Sequence, residues 1–215
     1  MGPVRFRDRA EAGRRLADAL GHLRGTEHLV VLGLPRGGVA VAAEVAAGLS
    51  APLDVLVVRK LGFPGHDELA IGAVASGGAL VLNDEVLAMA GLDHAGLEER
   101  AAWGRHDLAD LERRLRGDRP PLSLDGTTAV LVDDGLATGA TMRVAAVAAR
   151  QAGAARVVVA APVGSRQAVQ ALNGLADEVV CLVVPANLRA VGVHYRDFSP
   201  VGEVEVRRLL GWDDE

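Results

Sequence analysis

The sequence predicts an α/β fold built on a doubly wound, mainly parallel sheet. Five runs carry this expectation: "HLVVLGL", "LDVLVVRK", "TTAVLVDD", "ARVVVAAPV" and "DEVVCLVVP". They are short, rich in Val and Leu, and continuously apolar rather than alternating, as strands covered on both faces must be. Helical patterns at 38–48, 139–152 and 165–175 each follow a strand by a few residues, the rhythm of βαβ units. Half of the 215 residues are hydrophobic, enough to bury one good-sized core.

The elements follow in order. Residues 5–24 place Phe6, Ala10, Leu16, Leu20 and Leu23 at helical spacing. The first strand ends in Pro35-Arg36-Gly37-Gly38 before a helix, and the second finishes in Arg59 and Lys60. A loop bearing Gly and Pro then contains His66, Asp67 and Glu68. The interval 83–117 interrupts the rhythm with helix: Asp93 is a candidate cap, Leu97, Ala101, Leu108, Leu111 and Leu115 form a stripe, and Gly117 is a stop. An ordinary crossover, a lid and a dimer surface are all open uses for it. Past Pro185, residues 186–215 read as a C-terminal flap that holds Tyr195 and Phe198, with a last helix capped by Ser199 and carrying Pro200 in its first turn. One domain over 1–215 is expected, with its core at about 28–163.

Composition limits the partners. A net charge of −5 argues against a general nucleic-acid binder, and no apolar run is long enough for a membrane span. The charged, helical start is not a secretory signal, and the single Cys181 in an apolar run suits a reduced core thiol. A cytoplasmic protein is the expectation.

The loops at strand ends carry the chemistry. In "AVLVDDGLATGATM", Asp133 and Asp134 end a buried strand, and Gly135 to Thr141 lead into a helix. Backbone N–H groups and the helix N-terminus would cradle an anion there, with Thr138 and Thr141 as hydroxyl donors and Gly135 and Gly139 admitting a close backbone approach. Only three residues separate these glycines and no Lys follows, so the nucleotide P-loop pattern is not met. Two carboxylates about 5 Å apart repel by ~3 kcal/mol at an effective dielectric near 20. They call for hydroxyl donors or a cation, and sugar hydroxyls with Mg²⁺ nearby would answer both needs. Arg36 between Pro35 and two glycines suits a pyrophosphate.

"VLVDDGLATGAT" resembles the signature of the type I phosphoribosyltransferases. The resemblance implies that Asp133 and Asp134 hold the ribose hydroxyls of phosphoribosyl pyrophosphate (PRPP), meeting Mg²⁺ only indirectly, through those hydroxyls or water. It gives the 5′-phosphate to Ala137, Thr138, Gly139, Ala140 and Thr141, beside Gly135. "PRGG" is similar to the family's pyrophosphate loop and assigns it Arg36 and Gly37; "VRK" is similar to the orotate enzymes and adds Lys60. With "RKLGFPGHDELAIGAV" and "YRDFSPV", the chain looks most like a bacterial group of predicted phosphoribosyltransferases. Two departures stand out. Ala137 occupies the place where the hypoxanthine–guanine enzymes carry an acid/base Asp, and the interval 83–117 replaces or extends the family's flexible catalytic loop. The implied reaction transfers the 5-phosphoribosyl group from PRPP to a nucleobase-like or other nitrogen acceptor and releases pyrophosphate. Glu68 or His66 is the candidate general base, and Tyr195 or Phe198 could stack on the acceptor. A non-catalytic PRPP or nucleotide sensor is the alternative, and a homodimer, frequent in the family, is an open expectation.

Overall fold

The computed structural model describes residues 5–63, 66–82 and 94–212. Its strands are β1 (Leu29–Gly33), β2 (Leu53–Val55), β3 (Val58–Phe63), β4 (His66–Ala75), β5 (Leu80–Leu82), β6 (Thr128–Val132), β7 (Arg156–Val163) and β8 (Glu178–Val183). Its helices are α1 (Arg9–Ala19), α2 (Gly37–Leu49), α3 (His94–Arg116), α4 (Ala140–Gln151), α5 (Arg166–Ala171) and α6 (Glu203–Leu209). The expected helix over 83–93, with Asp93 as cap, lies outside the described residues.

A five-stranded sheet runs in the order β2-β1-β6-β7-β8, and each pairing is parallel. Every residue of β1 and β6 is buried, which is why neither strand alternates in sequence. Val31, Val130 and Val158 face Leu16, Val41, Val45 and Leu49 of α1 and α2. Their neighbours Leu32, Leu131 and Val159 face Met142, Ala145, Ala149 and Ala168 of α4 and α5. Helices thus cover both faces, as the doubly wound expectation requires.

Local chemistry sets the helix starts. Asp8 caps α1 by accepting from the N–H of Glu11 at 2.7 Å, and the Glu11 carboxylate accepts from the N–H of Arg7 at 2.6 Å, satisfying donors that a helix N-terminus leaves open. Helices α1 and α2 then pack closely: a Cβ at Gly13 would stand 2.6 Å from the Val41 carbonyl oxygen.

"LDVLVVRK" is not one parallel strand. It divides into β2 and β3, and β3 joins an antiparallel sheet of order β3-β4-β5. Leu56 and Val57, at the corner, remain buried in two different clusters. The chain changes sheet without an exposed residue, so apolar continuity hides the break. Arg59 and Lys60 therefore lie within an antiparallel strand rather than ending a parallel one. His66 and Glu68 open β4, where a loop was expected.

Helix α3 lies on this second sheet. Its Ala101, Leu108 and Leu115 are buried with Leu61, Ile71 and Val74, and Leu97 and Leu111 pack alongside. The stripe is thereby packed largely from within the chain. Gly117 ends the helix at φ 60°, its N–H donating to the Arg113 carbonyl at 2.9 Å. Near that end Arg116 is buried against Asp54 of β2, its Nη1 2.8 Å from Oδ1. Asp54 Oδ2 also accepts from the N–H of Leu122 at 2.8 Å.

The C-terminal segment is stitched to the start of the chain. The Phe6 N–H donates to the His194 carbonyl and the Arg196 N–H to the Phe6 carbonyl, both at 2.8 Å. The last helix begins later than expected, with Gly202 at its N-cap. Ser199 instead donates through its N–H and hydroxyl to Asp197 Oδ1, at 2.9 and 2.6 Å; that tight turn keeps Ser199 and Pro200 out of the helix. Among the described residues, no helix is long and apolar enough to cross a membrane.

Candidate active site

The strand order changes direction between β1 and β6. From β1 the chain goes through α2 to β2 at one edge, whereas β6, β7 and β8 advance to the other. Ligands of open parallel sheets bind outside the carboxyl ends of strands at such a switch. Here β1 runs into Pro35-Arg36-Gly37-Gly38, and β6 runs into Asp133-Asp134-Gly135. The two loops singled out in sequence are therefore neighbours.

They touch through the glycines. A Cβ at Gly38 would stand 2.7 Å from the Val132 carbonyl oxygen and 2.9 Å from Asp133 Cα. One at Gly37 would collide with the Asp134 carboxylate and come within 3.1 Å of Arg9 Nε. Any side chain at either position would push the acids away, which is the physical need for two glycines here.

The acids are held in place. Asp133 Oδ1 accepts from the Asp134 N–H at 2.8 Å. Asp134 Oδ2 accepts from Arg9 Nε at 2.8 Å, with both side chains mostly buried. Arg9 lies 3.9 Å above the Phe198 ring and donates through Nη1 to the Ser199 carbonyl at 2.8 Å. The Tyr195 hydroxyl donates to the Asp134 carbonyl at 2.6 Å. Asp133 Oδ2 and Asp134 Oδ1 take no part in these bonds.

Burial, and then the charge of Asp134, pushes the Asp133 carboxyl well above its ordinary value of 3.8. Asp134 is raised too, chiefly by burial, although the Arg9 hydrogen bond and charge oppose this. The consequence for stability has a definite sign. The unfolded chain gives up the Asp133 proton first, so stability is whole below about pH 3.8 and is lost as pH climbs through the raised folded value. Asp133→Asn removes that penalty. Its gain in thermal midpoint is expected to be larger by at least ~2 °C at about pH 8 than at about pH 4, read by calorimetry. Equal gains at both pH values would show a carboxylate that ionises freely.

The following loop is pinned to β7. The Leu136 N–H donates to the Val163 carbonyl at 2.8 Å, and the Ser165 N–H to the Leu136 carbonyl at 2.9 Å. Ala137 and Thr138 are exposed, and Gly139, at φ 74°, turns the chain into α4 at Ala140. The Ala140 N–H donates to Thr138 Oγ1 at 3.4 Å, and the N-terminus of α4 follows the carboxyl end of β6, an arrangement suited to an anion.

The other expected residues are placed less tightly. Arg36 is exposed at the start of α2, and among the described residues no hydrogen bond or ion pair engages its guanidinium. Lys60 is exposed on β3 opposite Ala73, and its neighbour Arg59 is taken by Asp107 at 2.9 Å. The side chains of His66 and Glu68 lie outside the described residues. Tyr195 does not offer a face for stacking. It is 4% exposed and its ring lies 5.5 Å from Phe6 and 5.0 Å from Phe198, centroid to centroid. Phe198 carries Arg9 on its ring. Both are props for Asp134.

Arg9 was not foreseen as a site residue. One signal was available: a cation in the first turn of a helix opposes the helix dipole, so Arg9 beside the Asp8 cap called for a partner elsewhere. Among the described residues, no group of three or more metal-ligating side chains converges.

Comparisons with known proteins agree with this geometry. The family model described as a phosphoribosyl transferase domain matches residues 8–197, more than the core expected from the motifs. A chain provisionally named a phosphoribosyl transferase in two strains of Mycobacterium tuberculosis is 51% identical over 208 residues, which is 95% of this chain and 46% of that one. The present chain thus spans about half the length of those relatives. The crystal structure of TT1426 from Thermus thermophilus is 49% identical and superposes with a TM-score of 0.84, covering 98% of this chain and all of that one. The AQ2163 protein from Aquifex aeolicus shares the fold at 12% identity, with a TM-score of 0.50 over 95% of this chain and 85% of its own. With the matched region reaching from Asp8 to Asp197, and so taking in Arg9 and Tyr195 as well as the two loops, the chain belongs to the phosphoribosyl transferase family.

Proposed function

We propose that the protein transfers the 5-phosphoribosyl group of PRPP to a small nitrogen acceptor and releases pyrophosphate. The observation that carries this reading is the packing of Gly37 and Gly38 onto Asp134 and Asp133 at the switch point. On this reading the loop of Arg36 and Gly37 would take the diphosphate beside acids that take the ribose diol, next to a loop that takes the 5′-phosphate. Asp133 Oδ2 and Asp134 Oδ1 would accept from the ribose hydroxyls. The N–H groups of Gly139 to Thr141 and the hydroxyls of Thr138 and Thr141 would hold the 5′-phosphate. Arg36 and the Gly37 N–H would hold the diphosphate, with Lys60 reaching it from β3.

The bond from the anomeric carbon to the diphosphate oxygen breaks with its electron pair leaving on pyrophosphate, and the acceptor nitrogen bonds to the same carbon. Arg36 and Lys60 would meet the charge that builds on the leaving group, the use of preorganised cations that catalysis rewards most. The acceptor nitrogen's proton passes to Glu68 or His66. Mg²⁺ would be held chiefly by the substrate's phosphates and would meet Asp133 and Asp134 only through the ribose hydroxyls or water, in keeping with how rarely such ions sit in a closed protein cage. When bound, the ion supplies positive charge to the diphosphate.

Calorimetric titration of PRPP, with and without Mg²⁺, tests the reading. Binding that needs the metal and falls at least ~100-fold in Asp133→Asn, Asp134→Asn is expected, about two charge-assisted hydrogen bonds' worth. Folded protein that binds no PRPP under either condition would overturn it.

A further inference from the structure

Away from the switch point, a cleft of about 550 Å³ opens between the end of α3, the turn after it and α6. Arg113, Arg114, Asp118, Arg119, Arg207 and Trp212 contribute to its walls. None of these residues belongs to the cradle. The chain carries a net charge of −5, so four arginines at one cleft do not follow from its overall balance.

Part of this cluster has a local explanation. Both α3 and α6 end here, and basic residues in a last turn complement the negative end of a helix. Arg113 pairs with Asp110 at 2.7 Å, and Arg114 with Glu203 at 3.2 Å. Arg207 also lies in the last turn of α6, but no ion pair engages it among the described residues. Its Nε is buried and, among the described residues, lacks any hydrogen-bond partner. A buried cationic donor without an acceptor is a standing cost in free energy. The chemistry that removes this cost is an anion entering the cleft, and the planar guanidinium fork matches phosphate oxygens best. The volume is in the range of small-ligand sites, roughly 300–1,000 Å³, and well beyond one inorganic phosphate. The Trp212 indole adds an apolar wall.

We propose that this cleft is a second anion site, separate from the cradle, that takes a diphosphate-bearing small molecule with Arg207 as its central ligand. The chain has two tryptophans, and Trp103 is 66% exposed on α3. Trp103→Phe therefore leaves Trp212 as the sole indole emitter, at the wall of the cleft. In that background, inorganic pyrophosphate titrated at constant ionic strength is expected to change Trp212 emission saturably. The same curve is expected in Asp133→Asn, Asp134→Asn, because the cradle is elsewhere. Arg207→Gln is expected to weaken binding at least tenfold, about what one charge-assisted hydrogen bond supplies. The pair Arg113→Gln, Arg114→Gln should do likewise, and these two side chains are exposed enough for the fold to survive.

A response that chloride reproduces, or that persists in both arginine variants, would overturn the proposal. So would its loss in the cradle variant. In sequence Trp212 is followed by Asp213, Asp214 and Glu215. If pyrophosphate binds only after Asp213→Asn, Asp214→Asn and Glu215→Gln, the chain's own acids occupy the arginines and the small-molecule reading falls.

Discussion

Gly38→Ala is expected to weaken PRPP binding by roughly 100-fold, the scale reached when a binding group is displaced by about an ångström. The added methyl would lie 2.7 Å from the Val132 carbonyl oxygen and 2.9 Å from Asp133 Cα. Both are backbone atoms of the strand end, so neither can rotate aside as a side chain would. Either the loop lifts from β6 or β6 moves with its acids, and in both cases the loop of Arg36 and Gly37 parts from Asp133 and Asp134. Overpacking of this kind costs about 1–3 kcal/mol of stability. Urea denaturation beside the calorimetric titration separates the two effects: the variant should remain folded and yet bind poorly. A variant that binds PRPP like the parent would show that the contact of the two loops does not set the site.

Arg116→Met should be the most destabilising single change in the central layers. It leaves Asp54 buried as a lone carboxylate, a loss of about 3–5 kcal/mol for one partner of a buried pair. Arg116 and Asp54 are 6% and 4% exposed, so solvent does little to relieve the charge. Adding Asp54→Asn should restore more than half of the loss, because an amide oxygen can still accept from the Leu122 N–H without carrying charge. Urea midpoints of the parent, single and double variants measure both steps. If the single variant unfolds within ~1 kcal/mol of the parent, the pair holds nothing that packing does not.

Sequence patterns and structure agree where burial leaves a mark along the chain. Strands β1, β6 and β7 are covered by helices on both sides, and their continuous Val and Leu runs say so, while β8 at the sheet edge is half-buried throughout. The two loops at the strand ends are legible as loops because each is a consecutive run of glycines and charged residues that breaks off an apolar strand. The antiparallel sheet was not legible. At Leu56 and Val57 the chain passes from one layer to another while staying buried, and periodicity cannot register a change of direction that exposes nothing. The supports of Asp134 were missed for another reason. Arg9 lies 125 residues from it along the chain and Tyr195 lies 61, and no local pattern encodes a contact at such a separation. Tyr195 and Phe198 stand out in sequence as aromatics, but their role depends on the rings and the Arg9 guanidinium that they face.

That separation has a consequence for how the protein matures. Asp133 and Asp134 leave the ribosome long before the segment that carries Tyr195 and Ser199, and Arg9 has no carbonyl to grip until Ser199 exists. A nascent chain stalled before this segment could form β1 and β6, yet its acid pair would be uncovered and unbraced. Bracing of the acid pair is therefore complete only once Ser199 has been made and the bridge between Phe6 and Tyr195 has closed.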